Sequence, residues 1–128
     1  CYTLSAVYGI GNITSMGNNA FQNCRNLCND LPDLKIPSIP ANCFNGCYAL
    51  NRLRFSMAIT SIAEGAFKDC YGILSYDFTY CTSVPTLASA NAFTNINANC
   101  KIKVPAALVD EWKAATNWAA YADKIVGV

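Results

Sequence analysis

The sequence contains no histidine. That absence removes the usual general base near neutral pH, the Ser-His and Cys-His pairs of nucleophilic catalysis, and the commonest metal ligand. Charge is scarce too, at 13% of residues with a formal net charge of +1. No long-range field therefore draws in nucleic acid, and no Lys/Arg cluster suggests a phosphate track. No apolar run reaches the length of a membrane-spanning helix. An initiator Met and a signal peptide are also missing, which reads as a processed or trimmed piece. The eight acidic residues (Asp30, Asp33, Glu64, Asp69, Asp77, Asp110, Glu111 and Asp123) form no catalytic motif. Paired carboxylates or a Lys base would be the remaining route to hydrolysis, and neither has a supporting pattern. The expectation is no catalytic residues, no cofactor, no metal, no nucleic-acid partner and no membrane span.

What the chain does have is apolar mass and self-similarity. Apolar residues make up 53% of its 128 positions, enough for one domain that buries about two thirds of its unfolded surface. Cys1, Cys24, Cys47 and Cys70 stand 23 residues apart, and Leu4, Leu27, Leu50 and Ile73 follow three residues after them. Ile13, Ile36 and Ile59 form a further column, as do Met16, Ile39 and Ile62. The pairs Ala20-Phe21, Cys43-Phe44 and Ala66-Phe67 keep the same period, and Ala92-Phe93 arrives three residues late. Such a unit cannot close a core alone. Stacked on copies of itself, it lays each apolar column on the next. Val7, Leu53 and Tyr76, with Phe55 and Phe78 two residues on, alternate like a short strand. Each coil is expected to be a short strand, a turn and a short helical piece carrying the Ala-Phe pair. Two irregularities are expected: Asp30 and Pro32 stand where apolar strand residues belong, so Leu31 and Leu34 take over through a bulge or shift. Three extra residues near Tyr80–Pro85 disturb the last coil, and Pro85 speaks against a regular ladder there.

The recurring pattern, seen as ITSMGNNAFQNC, IPSIPANCFNGC and ITSIAEGAFKDC, resembles the BspA-type leucine-rich repeat family over residues 1 to about 104. The tail KIKVPAALVDEWKAATNWAAYADKI resembles the segment that closes such arrays. The resemblance implies a right-handed solenoid of about four coils. It also implies surface or secreted proteins associated with adhesion and partner binding, and not known as catalysts.

From the tail's own residues, Lys101–Val104 alternates like a last edge strand, Pro105 suits a first helical turn, and Leu108, Trp112 and Ala115 form an apolar stripe. Trp118, Tyr121 and Ile125 continue it after Asn117. Residues 1–104 are read as an α/β leucine-rich-repeat solenoid and 105–128 as a C-terminal helical cap whose two Trp cover the last coil. An aromatic box for a sugar is the functional alternative. Cys1 already occupies the repeat column, so further coils or another domain upstream are expected, with a lipoprotein N-terminus as the rival.

Eight cysteines allow three readings. The favoured one is free structural thiols, because stacked column members have parallel Cβ vectors, a poor disulfide geometry. The alternatives are a disulfide among the off-column Cys28, Cys81 and Cys100, and a four-thiolate zinc site from Cys24, Cys28, Cys43 and Cys47. For partner binding, the outward column Tyr2, Arg25, Tyr48 and Tyr71 offers residue types enriched at hot spots. The competing reading is that these rings pack on one another along the coil edge. On the strand face, Arg52 and Arg54 stand one period before Ser75 and Asp77, so an Arg54–Asp77 ion pair or a polar recognition strip is expected. The sequence reading is a non-enzymatic extracellular or cell-surface module that binds a host or neighbouring-cell protein or glycan, as the C-terminal part of a larger surface protein. A structural spacer or phage virion component with no ligand of its own is the alternative.

Overall fold

The computed structural model describes residues 3–28, 31–55 and 59–128, and side chains at all of these except residues 32 and 33. Cys1, Tyr2, Asn29 and Asp30 lie outside the described residues. Within them the chain forms a mixed α/β repeat fold of short parallel strands. They are β1 (Leu31–Leu34), β2 (Ser38–Ile39), β3 (Arg52–Phe55), β4 (Ser61–Ile62), β5 (Ser75–Asp77), β6 (Thr86–Leu87), β7 (Lys101–Val104) and β8 (Ile125–Gly127). A five-stranded sheet has the order β1-β3-β5-β7-β8, and a three-stranded sheet has the order β2-β4-β6. The first repeat has no strand among its described residues, only a 3-10 turn at Ile10–Asn12.

The register explains why the sequence repeats. Leu53 lies opposite Tyr76, and Tyr76 opposite Ile102, so each apolar column becomes a row of stacked side chains. β1 carries the expected bulge. Leu31 pairs with Leu53 and Leu34 with Phe55, so β1 has one residue more than β3 between the same two pairs. Leu31 and Leu34 are both buried, and the phase recovers at buried Ile36. Phe21, Phe44, Phe67 and Phe93 stack with centroids 5.4, 5.5 and 5.6 Å apart, and Phe55 stacks on Phe78 at 4.7 Å. Burying each such ring contributes about 1.5–3 kcal/mol, with about 0.5–1.5 kcal/mol more per well-placed aromatic pair.

Two expectations are corrected. The Ala-Phe segments are successive turns, and only Ala90–Phe93 is helical, as a 3-10 turn. Left-handed residues recur there in two columns: Asn19, Asn42 and Gly65, then Asn23, Gly46, Asp69 and Asn95. These are types that tolerate positive φ, and they interrupt helix formation while aiming alternate N–H groups at the next repeat. Asn19, Phe21 and Asn23 donate to the carbonyls of Ala41, Cys43 and Asn45, and Asn42, Phe44 and Gly46 to those of Glu64, Ala66 and Lys68, at 2.7–3.1 Å. Gly65 is held most tightly, because a Cβ there would meet Asn42 Oδ1 at 2.1 Å. The irregularity expected near Tyr80–Pro85 is present, with no strand over 80–85, and Pro85 closes it. That proline stands one residue before β6, and pairing resumes at once with Thr86 N–H donating to the Thr60 carbonyl at 3.0 Å. Second, β7 is not the last strand and the closing segment is not purely helical. After the 3-10 turn Ala106–Leu108, helix α1 (Val109–Ala114) and the kinked 3-10 segment Trp118–Lys124, β8 pairs parallel with β7.

The closing segment seals the aromatic row. Trp112 lies 5.6 Å from Phe78, Trp118 lies 5.5 Å from Phe93, and both Trp are fully buried. Trp118 Nε1 donates to the Pro85 carbonyl at 2.8 Å, Asn117 Nδ2 to that of Leu87 at 2.7 Å, and Tyr121 Oη to that of Ala90. Complete burial leaves these indoles no face for a sugar, so the aromatic-box alternative falls.

Candidate functional site

The cysteine column shows what the repeated thiol is for. Cys47 Sγ donates to the Phe21 carbonyl and Cys70 Sγ to the Phe44 carbonyl, each at 3.0 Å and each 26 residues back. Cys43 Sγ lies 4.0 Å from Met16 Sδ. Burial, as the first cause, pushes the Cys47 thiol up to about 11 and those of Cys43 and Cys100 up to about 12, and raises Cys70 as well. Such thiols stay protonated and inert near neutral pH. Cys28, Cys43, Cys47, Cys70, Cys81 and Cys100 are free, which removes the off-column disulfide. Cys24 corrects the favoured reading in the other direction: it is disulfide-bonded, with its partner outside the described residues. The argument from parallel Cβ vectors did not anticipate a bridge at this column cysteine. Among the described residues no group of three or more His, Cys, Asp or Glu is placed to hold a metal ion.

The tyrosine column is brought together. Arg25 Cζ lies 5.3 Å from the centroid of Tyr48, and Tyr48 stacks on Tyr71 at 5.1 Å. Desolvation first, then Asp69 and Tyr48, holds the Tyr71 phenol above its usual value. The next position along the edge is Asn97, whose Nδ2 donates to the Tyr71 carbonyl at 2.8 Å. Tyr48 is half-buried between two partners, and Tyr71 is 47% exposed. This geometry favours rings packing along the repeat edge. Tyr2 lies outside the described residues.

Arg52 and Arg54 occupy a different element and face solvent from β3, while Leu53 and Phe55 point inward. Register sets Arg52 beside Ser75, and Arg54 beside Asp77, as expected. Asp77 Oδ1 accepts bonds from the Thr79 N–H at 3.0 Å and the Thr79 hydroxyl at 2.6 Å. The expected strand at Lys101–Val104 is present, but the sequence reading did not align its lysines with this row. β7 places Lys101 beside Ser75 and Lys103 beside Asp77, so the outward row continues through both lysines. Only the altered spacing of the last repeat, 26 residues in place of 23, could have revealed this. An open groove of about 590 Å³ lies between β6 and α1, lined by Val84, Pro85, Leu87, Ala114 and Ala115 and by the polar Thr86, Glu111 and Thr116. Among the described residues no helix is long and apolar enough to cross a membrane.

Comparison with known proteins gives one match: a family model described as BspA type leucine-rich repeat region (6 copies) aligns with residues 1–103. No curated protein and no solved structure matched the chain.

Proposed function

We propose, from the premise that the chain belongs to the BspA-type leucine-rich repeat family, that it is a non-enzymatic recognition module acting outside the cell or at its surface. Residues 1–104 form its solenoid and 105–128 its cap. The observation that carries this reading is the outward row of β3, β5 and β7, which presents Arg52, Arg54, Ser75, Asp77, Lys101 and Lys103 on a rigid sheet whose opposite face is fully packed. The ladder register fixes the backbone spacing of these side chains, so little main-chain ordering is needed on meeting a partner, which favours binding. The tyrosine edge contributes framing contacts through the exposed part of Tyr71. A spacer with no ligand of its own would not need an ordered polar row, and nothing in the fold favours it.

The test is a screen of the intact chain against matrix proteins, mucin and a glycan panel. Saturable binding that weakens in an R52S/R54S variant with an unchanged circular dichroism spectrum is the expected result. Failure to bind any member of the panel would overturn the recognition reading.

A further inference from the structure

We propose that the outward face of β3, β5 and β7 takes an anionic polysaccharide, a sugar chain bearing sulfate or carboxylate groups. The inference rests on the reading that this face is a recognition surface and names its ligand class. Four of the chain's nine basic residues stand at the six outward positions of these strands, with one of its eight acidic residues. The strip therefore carries +3 within a chain of net +1, and the remainder carries −2. A molecule that looks nearly neutral by composition has its positive charge gathered on one sheet face.

The geometry suits a linear polyanion. Strand spacing of about 4.8 Å sets the Arg54 and Lys103 backbones roughly 10 Å apart across Asp77, and positions two apart on one strand lie about 6.6 Å from each other. The Asp77 carboxylate is engaged by Thr79, and the exposed Lys101 flanks the Ser75 hydroxyl. None of the six outward positions is apolar or aromatic. A protein partner would lack the apolar anchor that dominates most interfaces, and a single-stranded nucleic acid would lack a stacking platform. A hydrophilic chain with regularly spaced anions needs neither.

The chain is passed over immobilised dextran sulfate, polygalacturonate, neutral dextran and poly-glutamate, at low salt and at physiological ionic strength. Saturable binding to at least one of the two acidic polysaccharides is expected, with none to neutral dextran and with affinity falling as salt rises. Sulfate and carboxylate are distinguished by which of the two binds. A K101A/K103A variant is expected to lose about tenfold or more in affinity. A K35A/K113A variant removes the same net charge elsewhere on the surface and is expected to stay within about twofold. Equal loss in both variants, no binding to either acidic polysaccharide, or tighter binding to poly-glutamate would overturn the proposal. If the broader screen finds a protein or neutral glycan while both acidic polysaccharides fail here, the recognition reading stands and the ligand class falls.

Discussion

Cys47 and Cys70 are the residues that best explain the periodicity. A buried thiol is small enough for the turn to close and still donates to a Phe carbonyl of the preceding repeat. Their position was legible in the sequence, because a 23-residue spacing kept through four cysteines needs a structural cause. The disulfide at Cys24 was not legible, since the argument from parallel Cβ vectors counted against a bridge at any column cysteine. A direct expectation follows for thiol chemistry. Among the six described free thiols, Cys28 is exposed and the other five are buried. Cys28 should react with a thiol reagent in the native protein at pH 8, and the others only after denaturant is added. Rapid native labelling of Cys47 or Cys70, read by mass spectrometry, would contradict this. The same burial sets the pH response. Thiols raised from 9.0 to about 11 and 12 keep their full contribution to stability below pH 9. The unfolded chain then loses its protons first, so stability falls as pH rises from about 9 through the folded values. Denaturant midpoints measured from pH 7 to 10.5 should be flat at first and then decline.

At the scale of elements, the strand positions of the five-stranded sheet were readable wherever apolar residues alternate, as at Leu53 and Phe55. Leu31 and Leu34 were anticipated as substitutes for Asp30 and Pro32 because the period places those two where apolar strand residues belong. The three-stranded sheet was hidden, since two-residue strands such as Ser61–Ile62 are too short to show alternation. The Asn and Gly columns that unwind the Ala-Phe segments into turns were present in the sequence. Their left-handed φ is the signal that a helical reading of the Ala-Phe pair overlooks. β8 was unreadable because its pairing with β7 depends on how the closing segment folds back. That segment yields a sharp contrast. Trp118 Nε1 is bonded to the Pro85 carbonyl, whereas buried Trp112 Nε1 has no hydrogen-bond partner among the described residues. Trp118→Phe should cost about 1–3 kcal/mol from the orphaned buried carbonyl and the lost volume, and Trp112→Phe distinctly less for a similar loss of volume. Equal losses in chemical denaturation would mean that the Trp118 bond contributes nothing.

For the whole molecule, the functional residues divide into those that sequence period alone could align and those that needed the fold. Tyr48 and Tyr71 share a column at a spacing of 23, and the structure stacks them. Lys101 and Lys103 join Arg52 and Arg54 only because the enlarged last repeat restores register at a spacing of 26, which no fixed period predicts. The proposed binding row is thus a product of tertiary register, while the core beneath it is a product of sequence period. Family membership over residues 1–103 supports a repeat module and leaves the ligand to be found from that row. The most direct measurement is amide chemical-shift mapping of the labelled chain as a bound partner from the screen is titrated in. The account predicts perturbations concentrated at Arg52–Phe55, Ser75–Asp77 and Lys101–Val104. Shifts confined to the turn segments around Asn19, Asn42 and Gly65, or to α1 in the closing segment, would contradict it.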